Sequence, residues 1–185
     1  MIATEIRSYA AEQCRRESNA LSPAFFEEHI LPVADYGVRL ARQLGADPEI
    51  VEISAYLHDI SAVVDLRSMP EHPRLSAEAS GSLLAQMAYP SDSIRKVERC
   101  ILTHSSPLQI GEGSLEEVCL SNADAVSQIA RLPYWLFFAF SIRRLGFCEG
   151  TEWLRNRVET NWRALIEPAR ALVEREYALA RDCLK

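Results

Sequence analysis

Apolar residues recur along most of the chain with the 3.6-residue period of one face of an α-helix. No stretch shows the alternation of apolar and polar positions that is typical of a half-buried strand. The pattern therefore predicts an all-α protein, a helical bundle with seven or more helices that forms a single domain over residues 1–185.

Capping residues and prolines predict where the first long helix begins, bends and ends. Ser22 is a suitable N-cap, and Pro23 follows at the first helical position, where a missing N–H costs little. Gly45 is a typical helix stop. Pro32 falls inside this segment, so we expect it to kink the helix or to split it in two.

Similar signals delimit the middle of the chain. Asp47 is predicted to cap a helix that runs through residues 48–57 and ends near His58. We expect a loop with Pro70 and Pro73 next, and then a helix over residues 74–87.

Four more helices are predicted in the second half of the chain. Ser91 is the expected cap of the helix over residues 92–104. Ser114 and Glu117 form a capping-box pattern at the start of the helix that carries Asp124. An apolar helix then covers residues 133–146, and a long helix over residues 151–182 should be kinked at a proline, Pro168.

Composition and charge narrow the class of protein. Of the 185 residues, 48% are hydrophobic and 25% are charged, as in ordinary globular proteins. The formal net charge of −6 argues against a surface that coats nucleic acid, because phosphate contacts along a nucleic acid need clustered Lys and Arg. A small phosphorylated ligand stays compatible with this charge, since it needs only one or two local cations.

Three further features bear on location. The most apolar window, residues 133–142, is too short to span a bilayer, so it predicts a buried helix or a dimer face and leaves a homodimer open. The amino-terminal segment carries Glu5 and lacks the pattern of a signal peptide. Five scattered cysteines, odd in number, predict unpaired buried thiols and a cytoplasmic protein with no membrane association.

Histidines are the most informative polar residues, because there are only four and each is predicted near a helix end or start. A lone histidine is more often a structural residue than a ligand. His58 and Asp59 are adjacent, and neighbours on a regular helix point about 100° apart. They could share one ion only at the end of the helix, which is where the pattern places them.

The order of these residues resembles the HD-domain superfamily of metal-dependent phosphohydrolases. The family has one His, then a His-Asp doublet and later an Asp on an all-α core, and the match here covers about residues 25–130. His29 in EEHILPV, His58 and Asp59 in AYLHDIS, and Asp124 in LSNADAVSQI correspond to this set. The resemblance implies an HD-type helical domain, with C-terminal helices over residues 133–183 completing the core.

A subset of the family has two more histidines that bind a second metal. His72 in HPRLSAEAS and His104 in ILTHSS are similar to those two segments. The resemblance implies either one ion on His29, His58, Asp59 and Asp124, or two ions with Asp59 as the bridge. Imidazole and carboxylate ligands suit one or two divalent ions of Mn, Fe, Ni or Zn, and His58 with Asp59 would form the catalytic pair.

The sequence also departs from the family pattern. Many phosphodiesterase-type members have glycine and lysine after the doublet and its following apolar residue, whereas Ser61 and Ala62 stand here. Arg67, Arg74 and Arg131 are the nearest candidates to bind substrate phosphate in place of that lysine. The aromatic residues of the C-terminal third are interpreted as core.

Three functions fit this pattern. The first is hydrolysis of a phosphoester or phosphoanhydride bond in a small phosphorylated metabolite, with a nucleotide favoured, by a metal-activated water. The second is a di-iron oxygenase built on the same ligands. The third is a catalytically inactive module that binds a nucleotide or a partner. The uninterrupted set of ligands favours a catalytic protein.

Overall fold

The computed structural model describes residues 2–185, which form helices joined by turns and short connections. The helices are α1 Ile2–Arg15, α2 Leu31–Leu44, α3 Pro48–Leu57, α4 Ile60–Val64, α5 His72–Gln86, α6 Ser91–Thr103, α7 Leu115–Ala130, α8 Leu132–Phe137, α9 Phe147–Ala164, α10 Glu167–Ala171 and α11 Glu174–Cys183. No strand occurs in residues 2–185, and the prediction of an all-α fold with at least seven helices is confirmed.

Helix α7 is the centre of the bundle. Every residue from Glu117 to Ile129 is buried, because α2, α3, α6 and α9 all pack around this helix. Gly37 on α2 allows the closest of these approaches. A Cβ atom at Gly37 would lie 2.8 Å from Val51 Cγ1 on α3 and 3.6 Å from the Cβ of Ala123 on α7. The absence of a side chain at Gly37 therefore determines how closely α2 packs on its neighbours.

Helix ends follow the predicted caps at three places. The Asp47 side chain accepts hydrogen bonds from the backbone N–H groups of the two residues after Pro48. Ser114 and Glu117 form the reciprocal capping box at the start of α7. Gly45 ends α2 with a φ of 78°, a left-handed conformation that glycine adopts without strain.

Pro32 does not split its helix. A π-helical turn, Phe26–Ile30, precedes α2 and continues directly into it. The N–H of Leu31 donates to the carbonyl of Phe26, five residues earlier. Because proline cannot donate a backbone hydrogen bond and its ring crowds the preceding turn, a wider turn accommodates it. His29 lies in this turn.

The segment after the His-Asp doublet is more helical than predicted. It forms α4 and a 3₁₀ turn, Leu66–Glu71, that contains Pro70. His72 is the first residue of α5, and Pro73 takes a position in the first turn, where its missing N–H has no helical partner to lose. His72 therefore lies at a defined helix start, and the prediction of a loop there was wrong.

Two other predicted boundaries also differ. Ser91 is the first residue of α6, and its side chain makes no capping hydrogen bond because Pro90 occupies the cap position. The long C-terminal helix is three helices, since α9 ends at Ala164 and Leu165 is extended. Pro168 lies in the first turn of α10, where proline starts a helix more readily than it bends one.

The cysteines and the apolar window agree in part with expectation. All five cysteines are free, but only three are buried, and Cys148 and Cys183 are exposed. In the apolar window, Tyr134, Trp135 and Phe138 are buried, as expected of a core helix. Among residues 2–185, no helix has the length and apolar character needed to cross a bilayer.

Replacement of Gly37 by alanine tests the packing of α2 on α3. Alanine normally stabilises a helix interior relative to glycine, but here its methyl group would overlap Val51. We expect Gly37→Ala to lower the free energy of unfolding by about 1–3 kcal/mol, as measured by denaturant titration. Gly81→Ala is the control inside another helix, since a Cβ there would meet only the flexible side chain of Glu98. A Gly37→Ala protein as stable as the native one would contradict this packing.

Candidate metal centre

Asp59 lies between two pairs of histidines. Its Oδ2 atom is 3.5 Å from His29 Nε2 and 3.3 Å from His58 Nε2. Its Oδ1 atom is 3.3 Å from His72 Nε2 and 3.7 Å from His104 Nε2. Each carboxylate oxygen therefore faces its own pair of imidazoles, which is the arrangement of a carboxylate that bridges two ions.

The doublet converges because α3 ends within it. His58 is the C-cap of α3, and Asp59 has left the helical conformation, with φ −110° and ψ 13°, before α4 begins. This break removes the separation of about 100° that adjacent side chains have on a regular helix. Both side chains can then point to one place, as a shared ion would require.

The other members come from four separate elements. His29 lies in the π-helical turn before α2, and His72 is the first residue of α5. His104 is the C-cap of α6, whereas Asp124 projects from the middle of the buried α7. The structure thus brings together all six residues of the predicted set from the centre and the ends of the bundle.

Three of the histidines are oriented by backbone carbonyls. In each case Nδ1 lies within hydrogen-bond distance of the carbonyl oxygen three residues earlier, at a helix end. Two of these carbonyls, those of Met69 and Ile101, also accept the backbone N–H of the same histidine. The pairs are His58 with Ala55 at 2.8 Å, His72 with Met69 at 2.8 Å, and His104 with Ile101 at 2.6 Å. A carbonyl can only accept, so Nδ1 must donate, and the Nε2 lone pair is left facing the cluster.

His29 is oriented by a side chain instead. Its Nδ1 is 3.2 Å from the hydroxyl of Ser127, and that hydroxyl donates to the His29 carbonyl at 3.5 Å. The hydroxyl oxygen is therefore free to accept from Nδ1–H, and Nε2 again presents its lone pair. Ser127 was not identified from the sequence, although it lies on the same buried helix as Asp124.

The ring nitrogens that face one another are all acceptors in these tautomers. His29 Nε2 lies 3.2 Å from His58 Nε2, and His72 Nε2 lies 3.1 Å from His104 Nε2. Two lone pairs at this distance repel unless a proton or a cation lies between them. Because the donors are imidazoles and carboxylates without thiolate, the set fits Mn, Fe, Ni or Zn.

Asp124 joins the side of the cluster that holds His29 and His58. Its Oδ1 atom is 3.3 Å from His29 Nε2. The side-chain amide of Gln128 donates to both Asp124 oxygens at 2.9 Å, and its own carbonyl accepts from Asn161 at 2.7 Å. Gln128 could have been found from its position four residues after Asp124, whereas no local pattern indicates Asn161.

Burial and charge determine where a proton binds in this cluster. Burial by itself would lower the pKa of His58, but the adjacent Asp59 carboxylate outweighs it and raises the pKa to about 9. Burial lowers the pKa of His104 to about 4, and the positive charge on His58 adds to this effect. At neutral pH, His58 therefore holds a proton that a metal ion must displace, while His104 is neutral.

A cavity of about 450 Å³ opens onto the two carboxylates. Most of its wall is apolar or aromatic, and two arginines contribute its cationic part. The lining residues are Leu21, Phe25, Asp59, Leu66, Met69, Asp124, Gln128, Trp135, Phe138, Ile142, Arg143, Trp153 and Arg157. A small anionic molecule with an apolar part would fit this lining.

The three arginines predicted to bind substrate do not line this cavity. Each pairs with nearby acidic side chains: Arg67 with Asp65, Arg74 with Glu71 and Glu78, and Arg131 with Glu28. His72 points inward from the start of α5, so Arg74, about 200° further round the helix, faces away from it. Arg143 and Arg157 line the cavity instead.

Ser61, in the segment that departs from the family pattern, makes hydrogen bonds within the protein. Its hydroxyl donates to the carbonyl oxygen of His72 at 3.3 Å and lies 2.9 Å from the hydroxyl of Ser76. Ser61, which stands where many phosphodiesterase-type members have glycine, therefore ties α4 to the start of α5.

The C-terminal third supplies part of the site. Trp153, Arg157 and Asn161 lie four residues apart on α9, and this spacing places them on one face of the helix. Trp153 and Arg157 line the cavity, and Asn161 binds Gln128. The interpretation of this region as core alone was incomplete.

Comparison with protein families agrees with the geometry. The model of the HD domain matches residues 26–129, which is more than half of the chain. This chain belongs to the HD-domain family. The matched HD segment carries all six clustered residues, and α9 lies outside it.

Two solved structures have a similar fold. Bacillus subtilis YpgQ, solved in complex with ADP, is 20% identical with a TM-score of 0.67, covering 98% of this HD-domain chain and 93% of its own. A Lactobacillus plantarum protein is 15% identical with a TM-score of 0.66, covering 98% and 92% respectively. A comparison with curated proteins finds no match to the chain.

Metal affinity should depend on pH because a proton competes for His58. At pH values below the His58 pKa of about 9, each unit of rising pH lowers the concentration of competing protons by about tenfold. We therefore expect the apparent affinity for Mn²⁺ to rise by up to about tenfold per pH unit between about pH 7 and about pH 9, and to level off above that. Titration calorimetry in matched buffers measures it, and a constant affinity over this range would contradict the assignment.

Loss of the Gln128 amide should weaken metal binding without removing a ligand. Gln128→Ala leaves Asp124 free to rotate, and the loss of such an orienting partner typically costs about 10- to 100-fold in metal affinity. Competition with a chelator of known affinity measures the change. Gln86→Ala, at an exposed position near the end of α5, is the control. Equal metal affinity in the Gln128→Ala and native proteins would show that Asp124 needs no such support.

Proposed function

We propose that this protein is a metal-dependent phosphohydrolase that cleaves a phosphoester or phosphoanhydride bond in a small phosphorylated metabolite, with a nucleotide as the favoured class. The observation that carries this proposal is the Asp59 carboxylate, each of whose oxygens faces its own pair of histidine Nε2 atoms. Membership of the HD-domain family supports the same class of reaction.

Two groups of residues would hold the metals, with Asp59 in both. His29, His58 and Asp124 complete the first group, and His72 and His104 complete the second. Bound divalent ions supply a water of lowered pKa and stabilise the charge on the attacking and leaving oxygens. The chain itself orients the imidazoles through their Nδ1–H hydrogen bonds and holds Asp124 through Gln128. Metal binding therefore has to restrict few further side-chain rotations.

The cavity supports a phosphorylated substrate with an apolar part. Metals held by Asp59 and Asp124 would lie at one part of its wall, and Arg143 and Arg157 add local positive charge to a protein that is acidic as a whole. Phe25, at the same cavity, contributes to a wall suited to a flat apolar group. YpgQ, which shares the fold, was solved with ADP, so nucleotides are the first substrates to test.

Replacing single metal-binding residues should change the metal content and the turnover to different extents. We expect about two ions per native chain, about one in His104→Ala, and near none in Asp59→Ala, because Asp59 serves both groups. His104→Ala should nevertheless lose turnover by several orders of magnitude, since both charges are needed to stabilise both oxygens. Metal analysis and phosphate release over a panel of nucleotides and sugar phosphates measure these effects.

The control is Asp35→Ala, which removes an exposed carboxylate of α2 that is outside the cluster. It should keep both ions and full turnover. Native protein that hydrolyses phosphate esters after exhaustive chelation, with no metal remaining, would refute the proposal. A native ratio of one ion, unchanged in His72→Ala and His104→Ala, would reduce the centre to a single ion. A coloured protein that consumes oxygen would favour the di-iron oxygenase instead.

A further inference from the structure

Arg157 lies between two indole rings at the cavity. Its guanidinium carbon is 4.6 Å from the centre of the Trp135 ring and 5.2 Å from the centre of the Trp153 ring. The same side chain lines the cavity together with Asp59 and Asp124. A cationic group is therefore held firmly beside the proposed metal centre.

This guanidinium lacks an anionic partner. Its Nε atom is buried without a hydrogen-bond partner, and no carboxylate of residues 2–185 lies within ion-pair distance of Arg157. The three arginines considered from the sequence all have such partners. A partly buried cation without an anionic partner is unfavourable, so Arg157 at this position indicates that an anion completes the site.

The two tryptophans leave particular donors of Arg157 available. Ring contacts of this kind involve the faces of the guanidinium, and they provide no acceptor for its N–H groups. The donors that stay available lie along the edge of the planar group. A phosphate can bind this edge through two parallel hydrogen bonds, which a point charge such as lysine cannot reproduce.

A second arginine extends this cationic wall. Arg143 is exposed, and its guanidinium carbon lies 5.0 Å from the centre of the Trp153 ring. Trp153 thus contacts both arginines, and all three residues line the same cavity. Phe138, stacked on Trp153 with ring centres 5.9 Å apart, continues the aromatic surface.

We propose that Arg157, supported by Arg143, binds the phosphate oxygens of the substrate, and that Trp153 and Phe138 pack against a planar apolar group attached to that phosphate. This assignment rests on the proposed function and specifies its substrate class as aromatic organic phosphates. It also gives this chain a phosphate-binding cation in place of the lysine that is missing after the doublet, from a helix outside the matched family segment.

Binding of two phosphonates to Mn²⁺-saturated protein tests the assignment without turnover. Phenylphosphonate and methylphosphonate share the anionic group and have no ester bond to hydrolyse, and only the first has a ring. We expect phenylphosphonate to bind native protein more tightly than methylphosphonate. Arg157→Gln should weaken phenylphosphonate binding by roughly 10- to 100-fold in titration calorimetry, and Arg157→Lys should fall between Arg157→Gln and native.

Arg163→Gln is the matched control, because it removes the same charge from the exposed side of α9, where Arg163 pairs with Glu159. It should bind phenylphosphonate with native affinity. Equal losses in Arg163→Gln and Arg157→Gln would attribute the effect to net charge and overturn the assignment. Native affinity in a folded Arg157→Gln protein would overturn it as well, as would native protein that binds neither phosphonate or does not distinguish them.

Stability has to be measured beside binding, because Arg157 also packs on two tryptophans. If Arg157→Gln melts below the assay temperature, Arg157→Lys decides: a loss of about tenfold or more supports the assignment, and native affinity overturns it. The proposed function can fail separately. Native protein that hydrolyses no phosphate ester with metal bound would refute the reaction, whereas Arg157-dependent phosphonate binding would still identify the anion site.

Discussion

The meeting of four imidazole lone pairs with one buried carboxylate is the constraint on which the rest of this structure depends. Nε2 atoms lie 3.1 and 3.2 Å apart within the two histidine pairs, and Asp59 lies between the pairs. Such a group of acceptors is unfavourable in a protein interior unless a positive charge joins it. The folding of the chain must bring these atoms together, and only a cation or bound protons make the arrangement stable.

Helix ends make this convergence possible. Carbonyl groups in the last turn of a helix can accept hydrogen bonds from side chains, and α3 and α6 use such carbonyls to hold His58 and His104 by Nδ1. The same backbone feature satisfies a polar group and selects the tautomer in which Nε2 can bind metal. The break in helical conformation at Asp59 then turns its carboxylate toward both pairs.

The C-terminal helices connect the metal cluster with the cavity. One face of α9 carries Asn161, which fixes Gln128 and through it Asp124, and the same face carries Arg157 toward the cavity. Burial lowers the pKa of Arg157, but its ordinary value is so high that the side chain keeps its charge at neutral pH. An acidic protein thereby presents local positive charge where a phosphate would bind.

The sequence by itself determined the features that depend on local order. Capping by Asp47 and Ser114 and the all-α class follow from neighbours a few residues apart, whose geometry a helix dictates. The ordered set of histidines and aspartates was recognised by its resemblance to the HD-domain pattern. Only the tertiary structure decided which arginines reach the cavity. Arg74 is near His72 in the chain but is turned away by the rotation of α5, whereas Arg157 is distant in the chain and adjacent in space. Packing between remote helices places such side chains, and sequence spacing does not encode that packing.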